Sequence, residues 1–136
     1  MHRKYRMAIL LVFAALLLVF SSVSAHGSAK VGAYTLEIGF KNEPAYQGYP
    51  NSLDLLVHET ASNKPVTGLE ATLKAEVIFG ASRKTLAIQP EDGVDGEYTA
   101  AIIPTELGDY TWHITGSING TPVDVSMTSS PSTFVS

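Results

Sequence analysis

The residues of this chain whose types could do chemistry are few and scattered. His26 follows the small-residue run Val23-Ser24-Ala25, and a chain cut after Ala25 would begin with it. Such an end offers one ion both an α-amine and an imidazole nitrogen, and nitrogen-rich tetragonal sites suit Cu(II). A second ligand is needed, and His58 and His113 are the imidazoles available. Asp54 and Glu59, on either side of His58, add oxygen donors. The candidate metal site is therefore His26 with His58 and with Asp54 or Glu59, and copper is the candidate cofactor. A second cluster, Glu91-Asp92-Gly93-Val94-Asp95-Gly96-Glu97, sets Asp92, Asp95 and Glu97 among glycines, where oxygen ligands could cup Ca²⁺. It lacks the EF-hand spacing, and acids with glycine are also what a hairpin loop contains. Tyr46 and Tyr49, in Glu43-Pro-Ala-Tyr-Gln-Gly-Tyr-Pro-Asn51, form a candidate contact patch for sugar or protein. Asn119-Gly120-Thr121 matches a glycosylation sequon. There is no nucleophile elbow, no His-Glu-x-x-His and no phosphate loop, so catalysis is not expected.

The elements that must position these residues begin with the first 25. A basic start (Arg3, Lys4, Arg6), an apolar run from Met7 to Phe20 and the small residues before His26 form a signal-peptide pattern. The 14-residue run is short for a bilayer-spanning helix, although an uncleaved anchor is the competing reading. No cysteine follows it, which excludes a lipid-modified anchor and any disulfide. Residues 26–31 read as an extension and 32–136 as one domain.

From Tyr34 onward the dominant period is two. Tyr34–Phe40, Leu53–His58, Leu73–Phe79, Leu86–Ile88, Tyr98–Ile102, Tyr110–Ile114 and Val123–Met127 each alternate apolar and polar residues, with Gly, Pro, Asn and Asp between them. Seven short strands predict an all-β, immunoglobulin-like sandwich with Greek-key connections. Asn119-Gly120 predicts a type I′ hairpin turn. Closing it between Ile118 and Thr121 pairs Gly116 with Val123, Ile114 with Val125 and Trp112 with Met127, inward residue against inward residue. Gly108-Asp109-Tyr110 fits a tyrosine corner. Parity turns His58 and His113 outward on opposite sheets, too far apart to share one ion. An antiparallel pairing of the first two strands sets His58 opposite Thr35 or Ala33, which makes it the partner predicted for His26.

Six of nine basic and all thirteen acidic residues lie beyond residue 25, a net charge of −7 there. That disfavours nucleic acid and anionic membrane surfaces as partners, and no membrane insertion is expected after signal cleavage. Gly32-Ala33-Tyr34-Thr35-Leu36, residues 51–77 and residues 96–114 resemble the small exported immunoglobulin-like domains of the YtkA-like and CopC-like group. The resemblance covers most of the chain after residue 25 and implies an exported sandwich, periplasmic, cell-surface or extracellular. For its CopC-like members it also implies copper binding through a mature N-terminal histidine, a second histidine, an aspartate and methionines. Here the N-terminal histidine matches, whereas the Asp-x-His pair and the methionine-rich loop are absent. The expected function is a non-enzymatic binding or structural module of the cell envelope, with an envelope or extracellular partner. The alternative is a copper carrier using His26.

Overall fold

The structure, a computed structural model, describes residues 26–129 and 134–135. The expected signal peptide, residues 1–25, lies outside the described residues. Two sheets face each other across one core. The first has the strand order β1 (Gly27–Val31), β2 (Tyr34–Phe40), β4 (Asn51–Glu59), β8 (Glu97–Ile102), β7 (Gln89–Pro90), and the second β10 (Thr121–Thr128), β9 (Thr111–Ile118), β5 (Leu73–Phe79), β6 (Ser82–Leu86). All their pairings are antiparallel, giving the immunoglobulin-like sandwich expected from the alternation. A short parallel pair, β3 (Ala45–Tyr46) with β11 (Phe134–Val135), brings the C-terminal segment to one end of the sandwich.

Residues apolar at every second position form the strands because one face of each must leave water. In β4 the burial alternates without a break from Asn51 to Val57. Leu36, Ile38, Phe40, Leu53 and Leu55 from one sheet meet Trp112, Ile114 and Ile118 from the other, all fully or nearly fully buried. Phe40 stands edge-on to Trp112, ring centroids 4.9 Å apart, and so joins the two sheets.

The Asn119-Gly120 hairpin has the predicted register, Trp112 opposite Met127 and Gly116 opposite Val123, with positive φ at both turn residues. Tyr110 closes the tyrosine corner: its hydroxyl donates to the Glu106 carbonyl at 3.0 Å and accepts from the Glu106 N–H at 3.1 Å. A second buried tyrosine, Tyr98, donates to the Val66 carbonyl at 2.7 Å and accepts from Leu69 N–H, tying down the segment before β5.

Two expectations need correction. Residues 27–31 are not an extension but strand β1, hairpinned to β2 through Gly32-Ala33, with Val31 opposite Tyr34. Its small side chains gave no alternation to read; Gly27 packs on Met127, so closely that a Cβ there would overlap the thioether. The expected strand Leu86–Ile88 is instead a crossing. β6 ends at Leu86 in one sheet, and the chain passes through buried Ile88 to β7 in the other.

Candidate functional site

The β1–β2 hairpin decides where His26 goes. With Gly27 opposite Ile38, His26 falls beside Gly39, and Gly39 pairs with Asp54 on β4. Gly39 has no side chain, so the imidazole lies across it and Nε2 donates to Asp54 Oδ2 at 3.2 Å. A Cβ at residue 39 would stand 2.9 Å from Cδ2 and 3.0 Å from Cγ of the ring. The notch is therefore shaped to the histidine. Asp54 faces out of the sheet but is largely covered, with Oδ1 buried and without a hydrogen-bond partner among the described residues. The Asp54 hydrogen bond, opposed by partial burial, raises the His26 pKa above its ordinary 6.5. Glu43 shares this field. Burial raises its carboxyl above the usual value, while the charge of His26 acts in the opposite sense.

His26 and Asp54 are thus brought together, and His58 is not. His58 pairs with Thr35, as expected, but Thr35 pairs with Lys30, four positions along from His26. At about 3.3 Å per residue that places the two histidines' positions ~13 Å apart along the sheet. The His26–His58 ligand pair is corrected on this ground: β1 runs antiparallel along β2 and carries its start away from the end of β4 where His58 lies. His58 lines a separate depression of about 270 Å³ with Glu37, Asn63 and Asp95. Glu59 accepts a hydrogen bond from the Ser62 hydroxyl at 2.7 Å at the turn after β4. Among the described residues no group of three or more His, Cys, Asp and Glu is placed to hold a metal.

The other candidates separate in the same way. Glu97, proposed as a calcium ligand, is engaged by Lys41, whose Nζ lies 2.9 Å from both the Glu97 and Glu91 carboxylates. The loop between them leaves Asp92 and Asp95 exposed. His113 points outward from β9, opposite Ser126, with Nε2 2.7 Å from Asp124 and Nδ1 3.7 Å from Glu76. Its two nitrogens face different carboxylates, an arrangement that orders a surface rather than a ligand set.

Tyr46 and Tyr49 remain exposed, 49% and 67%, with rings edge-on at 6.2 Å. Their loop is held rather than loose. Gly48 N–H donates to the Pro104 carbonyl at 2.7 Å, and Gln47 Nε2 to the Thr105 carbonyl at 2.9 Å. At its far side, buried Asn51 donates to the Asn42 carbonyl and accepts from the Asn42 and Ser52 N–H groups. The segment after β8 that the loop grips carries two further exposed apolar residues, Ile103 and Leu107. Neither shows in the alternation, because both lie in the irregular stretch between β8 and β9. The start of β1, the end of β2, the start of β4 and the end of β8 all meet at this end of the sandwich. His26 and the tyrosines therefore share it.

No family model matches the chain, and no curated protein matches its sequence. Among solved structures it is similar to the crystal structure of the Lin-41 filamin domain, with 15% identity, a TM-score of 0.44, and coverage of 74% of this chain and 95% of that one.

Proposed function

We propose that the chain is an exported, non-catalytic immunoglobulin-like module of the cell envelope that binds a partner through the end of the sandwich bearing Tyr46 and Tyr49. The exposed tyrosine pair, on a loop pinned to the Pro104–Thr105 segment by the Gly48 N–H and the Gln47 side-chain amide and accompanied by exposed Ile103 and Leu107, carries this reading. Large amphipathic rings held in place lose little conformational entropy on binding, which suits them to contact surfaces. The signal-like first 25 residues and the resemblance to small exported envelope domains support export. A photo-reactive residue at position 49, in producing cells, should cross-link a discrete partner. The same group at Lys74, on the opposite sheet, should not. Equal labelling from both positions would contradict the proposal.

One observation favours a copper carrier as the second reading. Nε2 of His26 is engaged by Asp54, which leaves Nδ1 to bind a metal together with the α-amine once the chain is cut before His26. Carboxylates that hold the non-ligating N–H orient metal-bound histidines in this way. With His58 distant, the amine and Nδ1 are the nitrogen donors of such a site. Tight one-to-one copper binding that disappears when one extra residue precedes His26 would support it, and undiminished affinity would sink it.

A further inference from the structure

The two sheets do not close equally on their two sides. On one side β1 packs on β10 through Gly27 and Met127. On the other, β7 covers β8 only at Tyr98 and Thr99, so the edge of β8 from Ala100 to Ile102 has no paired strand among the described residues. Facing it is β6, the terminal strand of the second sheet, exposed from Ser82 to Thr85. Between them runs an open groove of about 790 Å³, lined with Val77, Phe79, Ile102, Ile103 and Tyr110 and edged by Lys84.

The register of β6 says which backbone groups it offers. Phe79 and Ser82 flank the two-residue turn Gly80-Ala81 and form the closing hydrogen-bonded pair. Bonded and non-bonded pairs alternate along an antiparallel ladder, so Arg83 and Thr85 are non-bonded positions and turn their N–H and C=O groups away from β5. Ser82, Lys84 and Leu86 share the inward parity of Val77 and Ala75. Among the described residues no strand pairs with this edge, which thus presents backbone donors and acceptors beside an apolar trough, the pattern that accepts an added strand.

Charge selects the occupant. Only six Lys and Arg follow residue 25, and two of them are adjacent here. Arg83 is paired with Glu76, whereas Lys84 has no ion pair among the described residues. The lining carries one acid, Glu106, against Arg83 and Lys84, so with Arg83 held by Glu76 the positive charge that β6 itself offers to an incoming segment is that of Lys84. A second copy pairing through β6 about Lys84 would set the two Lys84 side chains opposite each other, a repulsive cross-strand pair. The C-terminal Phe134–Val135 is already placed on β3. We propose that this groove binds an extended peptide segment of another protein, added as a strand along β6, with apolar residues facing Phe79 and Ile102 and a carboxylate facing Lys84. The inference rests on the domain being a binding module, and not on the tyrosines being its contact.

The test is selection of a displayed library of random octapeptides on the exported protein. Enriched peptides should alternate apolar residues with a carboxylate and slow amide exchange at Arg83 and Thr85. Lys84→Glu should weaken them about tenfold, equivalent to about 1.4 kcal/mol. Thr85→Pro, which removes an outward N–H and spares the bonds to β5, should abolish binding while Lys84→Glu keeps the test open if proline disturbs the strand. No enrichment, or peptides indifferent to both variants, would overturn the proposal; so would protection of β6 by self-association without peptide. Peptides lost instead with Tyr46→Ser/Tyr49→Ser would overturn the groove while leaving the proposed tyrosine contact standing.

Discussion

Replacing Gly39 with alanine fills the notch that His26 occupies. The new Cβ would lie 2.9–3.2 Å from three ring atoms, closer than a carbon contact allows, so the ring must shift by several tenths of an ångström. The Nε2–Oδ2 bond, already 3.2 Å, does not survive that shift. The loss is a hydrogen bond between charged groups, about 1.5–3 kcal/mol when His26 is protonated. Against it stands a gain of about 0.4–1 kcal/mol, because alanine restricts the unfolded chain and residue 39 has no positive φ to oppose it. The net cost should be about 1–2 kcal/mol at acid pH. The sign with pH follows from linkage. Asp54 raises the folded-state pKa of His26, so its contribution is fully present below the unfolded value of 6.5 and fades as pH rises through the folded one. Urea unfolding followed by Trp112 fluorescence at pH 5.5 and pH 8.5 should therefore show the variant destabilised at the lower pH and nearly unchanged at the higher. Glu43 titrates in both proteins and largely cancels in the difference. Equal effects at the two pH values would refute the notch and its hydrogen bond.

Three further outcomes follow from packing and surface geometry. Trp112→Ala should cost about 3–5 kcal/mol in urea unfolding, because it empties the contact with Phe40 between the sheets; a cost under about 1 kcal/mol would place the core on the wrong face. Tyr110→Phe should cost about 1–2 kcal/mol, since it leaves the Glu106 carbonyl and N–H without the hydroxyl that serves both. Tyr46→Ser/Tyr49→Ser should change stability by less than about 0.5 kcal/mol per residue while removing the cross-linked partner, and a large stability loss would make the rings structural.

The strands were legible where one face is buried and the other wet, as in Leu53–Val57 and Leu73–Val77, and the Asn119-Gly120 turn set the whole β9–β10 register. β1 was not, since Gly-Ser-Ala-Lys-Val has little apolar bulk and is held by backbone pairing and by contact with Met127. That omission misplaced His26. Val31-Gly32-Ala33-Tyr34 carried the missing signal: a two-residue turn with glycine at positive φ implies a hairpin, and counting back along it sets His26 beside Gly39 and Asp54. Asp54 was among the candidate ligands, but its role as the acceptor that orients the ring needs the notch at Gly39. The groove beside β6 was also invisible, because an open edge depends on where neighbouring strands stop rather than on any pattern within one.

The proposed function requires export and a chain that starts beside the tyrosine end of the sandwich, so the most direct measurement is the N-terminal residue of the protein from producing cells, read by Edman degradation or mass analysis. The expected result is His26, from a cut after Ala25. Recovery only of membrane-bound chain retaining Met1, or of chain that never leaves the cytoplasm, would contradict it.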